Sequence, residues 1–252
     1  MTDRHSSIYD LVEDWKRRQT PRKEKRGSGV YFQLQAVIIM LAVFSLYHYP
    51  PVIALPHADV LILDMTHSSN DASRGLFTDL LTQSHLSWIL YDSVTVNLVR
   101  LIPTGGYHVI ILWGHSGIND MATTELYTPF AHVLEQLTGE VGRYLVQGRQ
   151  YFSIEPGLVS SMTGKLHGSL VLLMGCNTLT QPELAQAFVN KGSSMVVGWK
   201  GLVSLSVTDM FAISLFQKVL QEDKPIGQAI LETNGILGTM GLSNLLYTLP
   251  AP

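Results

Sequence analysis

Short, uninterrupted apolar runs set far apart in the chain constrain its fold most. Val60-Leu61-Ile62-Leu63, Trp88-Ile89-Leu90-Tyr91, Val109-Ile110-Ile111-Leu112-Trp113, Leu170-Val171-Leu172-Leu173-Met174 and Met195-Val196-Val197 are apolar at consecutive positions. A strand apolar on both sides is buried on both sides, which is the habit of parallel sheets. The segments between these runs have helical spacing, as at Leu76, Leu80 and Leu81 within 75–85, and again at 96–102, 182–191 and 209–221. Gly192 closes the third of these helices and Pro225 opens a further one. Alternating strands and helices predict an α/β fold, a mostly parallel sheet with helices on both faces. Residues 244–249 read as a last edge strand. The least regular stretch, 119–168, predicts a short helix at 129–137 and a hairpin at 142–154, inserted after the third strand.

The N-terminus has a different build. Lys16, Arg17, Arg18, Arg22, Lys23, Lys25 and Arg26 precede Gly27-Ser28-Gly29, and residues 30–49 then contain no Asp, Glu, Lys or Arg. A 20-residue apolar span matches the bilayer core, and Tyr31, Tyr47 and Tyr49 sit near its ends, where interfacial aromatics belong. This predicts one transmembrane helix ahead of the α/β domain. The boundaries are a cytoplasmic basic segment at 1–29, a signal anchor at 30–49, a proline-rich linker at 50–57 and the domain at 58–252. The basic flank places the N-terminus in the cytoplasm and the domain outside a single-pass cell membrane. A cleaved signal peptide is the rival; the region before the apolar span is long for one, and no Ala-x-Ala site follows. Ile8, Leu11, Val12 and Trp15 share a helical face that either rests on the inner leaflet or is simply solvated. The net charge of −3 makes no case for a nucleic-acid partner. The expected partners are the membrane, through the N-terminal helix, and a peptide or protein substrate.

Two of the apolar strands end in reactive side chains, His115 and Cys176. Parallel strands bring such ends to one carboxyl edge, where α/β sheets build their sites. Cys176 is the only cysteine, which excludes an internal disulfide and a cysteine zinc site; no metal or cofactor is expected. A thiol needs help to become thiolate at neutral pH, and an imidazole supplies it as base or as cationic partner. The same imidazole then protonates the leaving amine. His115 and Cys176 are therefore the candidate catalytic dyad.

Strand-His115-Ser116-Gly117 followed by strand-Gly175-Cys176-Asn177-Thr178 resembles the caspase, gingipain and CHAT-domain superfamily of cysteine peptidases. So do the blocks Leu184 to Gly192, Val196 to Gly201 and Ser206 to Asp209. The resemblance implies a caspase-like fold and cysteine endopeptidase activity, with Cys176 as nucleophile and His115 as base and acid. It implies an oxyanion hole from the Cys176 amide with Gly117 or Ser116, because the usual His-Gly is here His115-Ser116-Gly117. It also implies substrate-pocket walls at Asp64 and along Trp199-Lys200-Gly201-Leu202-Val203-Ser204. An unpaired buried Asp64 carboxylate favours a basic P1 residue, whereas Lys200 can carry its charge to water. Two other readings stand beside this one. Gly114-His115-Ser116-Gly117 is part of a nucleophile elbow with Ser116 as nucleophile, but Ile118 breaks Gly-x-Ser-x-Gly and no histidine follows His167. The second is a catalytically inactive peptidase-like domain that binds peptides or proteins outside the membrane.

Overall fold

The computed structural model describes residues 54–67, 71–239 and 246–250, together with Val37 and Ile38. The chain divides after Ile53, and the body described below begins at Ala54. Val37 and Ile38 are helical and exposed, while the rest of the expected span at 30–49 lies outside the described residues. Among the described residues no helix is long and apolar enough to cross a membrane.

The body runs β1 (Val60–Met65), α1 (Asp71–Gln83), β2 (Trp88–Tyr91), α2 (Val96–Arg100), β3 (Val109–Gly114), β4 (Met121–Leu126), α3 (Val133–Thr138), β5 (Val141–Val146) and β6 (Arg149–Ile154). It continues through α4 (Pro156–Ser161), β7 (Leu170–Met174), α5 (Glu183–Asn190), β8 (Met195–Trp199), α6 (Leu205–Leu220), α7 (Ile226–Thr239) and β9 (Leu246–Pro250). Among the described residues a six-stranded sheet has the order β2-β1-β3-β7-β8-β9. Every neighbouring pair is parallel except β8 with β9. The consecutive apolar residues feed two separate cores. Leu61, Leu63, Ile110, Leu112, Val171 and Leu173 face α2, α4 and α5. Val60, Ile62, Ile111, Trp113, Leu172 and Met174 face α1, α6 and α7. The α/β sheet covered on both faces is thus the expected one, and burial of both sides of each strand is what selects it.

Two helices start earlier than their apolar spacing predicts. Helix α1 takes in residues 71–74, which read as polar loop. Helix α6 opens at Leu205 because Ser204 Oγ accepts a bond from the Val207 amide, an N-cap that spacing does not reveal. The irregular stretch holds the predicted hairpin as β5 and β6, closed by Gln147 and Gly148, both with positive φ. That geometry matches the twist of paired strands. It also holds β4, which was not expected, and which joins β6 through a register break between Ala122 and Leu126. Strands β4, β6 and β5 form a second, antiparallel sheet. Strand alternation puts Gly142, Tyr144 and Val146 on one face of β5 and Val141, Arg143 and Leu145 on the other. Phe152 and Ile154 join Val141 in the main core, while Tyr144 and Tyr151 pack with Ala122 and Val146.

Candidate active site

Trp113 and Met174 are in register on neighbouring parallel strands. His115 and Cys176 each lie two residues further on, so they stand at the same step beyond adjacent strand ends. The two ends are held together by Ser116, whose hydroxyl donates to the Cys176 carbonyl at 2.5 Å. Gly175 is required by that contact, because a Cβ there would come 2.3 Å from Ser116 Oγ and 2.5 Å from the Gly114 carbonyl oxygen. On the far side, β8 holds the cysteine turn. Thr178 Oγ1 accepts from the Trp199 amide at 3.0 Å and donates to the Leu173 carbonyl at 3.1 Å. Asn177 takes the left-handed conformation, φ 57°, which asparagine tolerates better than most residues, and its amide donates to Gly201 at 2.8 Å.

The thiol is engaged with the loop after β8. Cys176 Sγ donates to the Val203 carbonyl at 3.2 Å, and the Val203 amide donates back at 3.4 Å. His115 is half-buried and forms no hydrogen bond to Cys176. Its ring stacks instead near His67, with centroids 6.3 Å apart, and His67 lies 4.0 Å from the Tyr151 ring. Burial, and then the neighbouring His115, hold His67 below the ordinary imidazole range, which keeps it neutral.

The second sheet covers this edge. Tyr144 lies close enough to Cys176 and Asp120 that, after burial, their charges push its phenol upward. Gly117 donates to both Asp120 Oδ1 and the Asp120 carbonyl at 3.1 Å. A Cβ at Gly117 would meet Asp120 Oδ1, so a larger residue there would displace that carboxylate. Ser153 bridges Asp120 to Glu155, donating to Glu155 Oε1 at 3.2 Å. Burial raises the Asp120 carboxyl. Burial, then the Asp120 charge, push Glu155 up to about 7. The two carboxyls therefore form a pair behind Gly117 that resists holding two negative charges.

Several expected roles change. Gly117 was an expected oxyanion donor, but its amide is already bonded to Asp120. The Ser116 hydroxyl is spent on the Cys176 carbonyl and buried, which also removes it as an elbow nucleophile. The Cys176 amide donates to no other acceptor among the described residues. Asp64 is buried as expected but not unpaired: it binds Arg74 and accepts from the Thr66 amide and hydroxyl at 2.9 and 2.8 Å. The premise for a basic P1 residue is thereby gone. Trp199 is 1% exposed and packs edge-on against Phe211 in the core, so it is no pocket wall. Ser204 is the exposed cap of α6, and Lys200 is exposed at the head of the loop that reaches Cys176.

His67, Asp120, Tyr144 and Glu155 escaped the sequence reading. His67 follows β1 at the same sheet edge, so the strand-end logic that selects His115 reaches it too. Tyr144 and Glu155 become legible only once the hairpin register is known.

No protein-family profile and no curated protein matches the chain. Among solved structures it is similar to the Arg-specific cysteine proteinase gingipain R, at 13% identity and a TM-score of 0.49. The likeness covers 76% of this chain and 46% of that one, so the chain spans less than half of that protein's length.

Gly175→Ala is expected to lower stability by about 2 kcal/mol, because Ser116 and the Gly114 carbonyl must give way. An unchanged urea midpoint refutes this account of the strand junction. Glu155 binds its proton more tightly folded than unfolded, where it titrates near 4.5. Stability therefore falls as pH rises from about 4.5 to about 7. Glu155→Gln is expected to remove that fall, a gain of about 1 kcal/mol at pH 8 once solvent screening of this half-buried group is allowed for. Thermal melts across this range check the sign, and parallel curves for the two proteins contradict it.

Proposed function

We propose that the chain is a membrane-anchored cysteine endopeptidase in which Cys176 is the nucleophile and His115 the general base and acid. The observation that carries this reading is the equivalent placement of the two residues beyond the adjacent ends of β3 and β7. In the proposed reaction the thiol leaves the Val203 carbonyl and yields its proton to His115, and the thiolate attacks the substrate carbonyl. The Cys176 amide meets the developing oxyanion. His115 returns its proton to the leaving amine, and water then hydrolyses the thioester. The Gly117 amide can join only if Asp120 releases it. Because Val203 touches Cys176, the segment from Lys200 to Ser204 is the proposed substrate-binding wall. The basic run and the charge-free span at 30–49 support a single-pass anchor with the domain outside the cell membrane.

A second reading has its own observation. The thiol is bonded to Val203 and the Gly117 amide to Asp120, as suits a domain that binds peptides without cleaving them.

Cys176→Ala and His115→Ala are each expected to abolish peptide hydrolysis with the fold intact by circular dichroism. The double mutant should be little worse than either, since the pair acts as one unit. Iodoacetamide should label Cys176 rapidly in the wild type and slowly in His115→Ala; equal rates favour the binding domain. For the anchor, protease added to intact cells should digest the domain and spare residues 1–26. A protected domain rules out the extracytoplasmic placement.

A further inference from the structure

A thiolate that attacks a substrate carbonyl creates an oxyanion, and acyl transfer needs hydrogen-bond donors aimed at it. At this sheet edge the backbone leaves one such donor free. The Cys176 amide donates to no other acceptor among the described residues. The Gly117 amide is shared between the Asp120 side chain and the Asp120 carbonyl, both at 3.1 Å. The turn that carries it is held at two further points. Fully buried Ser153 is hydrogen-bonded to the Asp120 carboxylate, and Asn119 Oδ1 accepts from the Leu184 amide of α5 at 3.0 Å. Freeing the Gly117 amide means moving a turn that is anchored in this way.

A side-chain donor stands beside the same turn. Tyr144 is half-buried on β5, in register with Tyr151 of β6. The two pack with Ala122 and Val146, and the Tyr151 ring lies 4.0 Å from that of His67, which neighbours His115. Tyr144 Cε2 lies 3.5 Å from where a Cβ on Gly117 would stand. Cε2 adjoins the carbon that bears the hydroxyl, so the phenolic end of the ring reaches the turn. That hydroxyl has no hydrogen-bond partner among the described residues. Burial, then the charges of Asp120 and Cys176, push the phenol upward, and the last of these places it within electrostatic reach of the sulfur. A phenol that keeps its proton at neutral pH is a hydrogen-bond donor.

We infer that the Tyr144 hydroxyl is the second oxyanion donor, acting with the Cys176 amide in the role expected of the Gly117 amide. This rests on the peptidase reading. In the step, the Cys176 thiolate forms a C–S bond, the carbonyl π pair moves to oxygen, and the Tyr144 hydroxyl hydrogen-bonds that oxygen without giving up its proton. As the pair returns, the C–N bond breaks and the amine leaves with the proton of His115. Attack of water on the thioester creates a second oxyanion at the same place, which Tyr144 meets in the same way.

Tyr144→Phe keeps the ring and its packing and removes only the hydroxyl. The full chain in detergent is assayed on fluorescently labelled casein, and Cys176 is alkylated with iodoacetamide. Alkylation displaces iodide from a saturated carbon and develops no oxyanion, so it reads the thiolate alone. Tyr144→Phe is expected to lose about 10²-fold in kcat with KM changed by less than about twofold. Its alkylation rate is expected to equal that of the wild type. Wild-type kcat in the variant overturns the assignment. So does a rise in KM at unchanged kcat, which marks a ground-state contact, or a joint loss of hydrolysis and alkylation, which marks an effect on the thiol. In these three outcomes the wild type hydrolyses casein and Cys176→Ala does not, so the peptidase reading stands. A wild type without hydrolysis, or with hydrolysis that survives Cys176→Ala, overturns both.

Discussion

The bond from the Ser116 hydroxyl to the Cys176 carbonyl joins the ends of β3 and β7, and the site depends on that junction. Ladder hydrogen bonds align two parallel strands only as far as the strands run. Beyond Trp113 and Met174 the backbones are free to diverge, and both reactive side chains lie in that region. A buried hydroxyl between the turns, with Gly175 leaving room for it, keeps them together. Ser116, which stands between His115 and Gly117, thus has a structural role at the junction.

Around this junction the site is closed by its own loops. The thiol faces a backbone carbonyl, the Gly117 amide faces a carboxylate, and the Tyr144 ring lies beside Gly117. Each of these contacts is made by a segment outside the main sheet: the loop after β8, the turn after β3 or the inserted sheet. The strands supply fixed positions, and the loops decide whether the groups at those positions meet. The Asp120–Glu155 pair belongs to this outer layer. With Glu155 raised to about 7, its charge changes near neutrality, directly behind the turn that carries Gly117.

The two faces of the inserted sheet differ because β5 alternates. Tyr144 packs with Tyr151 and Val146, while Arg143 and Leu145 fall on the opposite side. A one-residue slip of the hairpin would exchange them. The Gln147-Gly148 turn, both residues left-handed, fixes the register and so keeps Tyr144 opposite Tyr151.

By itself the sequence determined the sheet and the place of His115 and Cys176 on it. Runs such as Val109 to Trp113 and Leu170 to Met174 are apolar at every position, and a parallel sheet under two helical layers buries both sides. The strand ends, and so His115 and Cys176, follow from where the apolar residues stop. Only the tertiary structure decided what each polar group does there. Asp64 met Arg74, Gly117 met Asp120, Trp199 turned into the core and Ser204 capped a helix. These outcomes depend on partners that lie on other elements or around a turn. Periodicity reports which way a side chain faces and is silent on what waits opposite it.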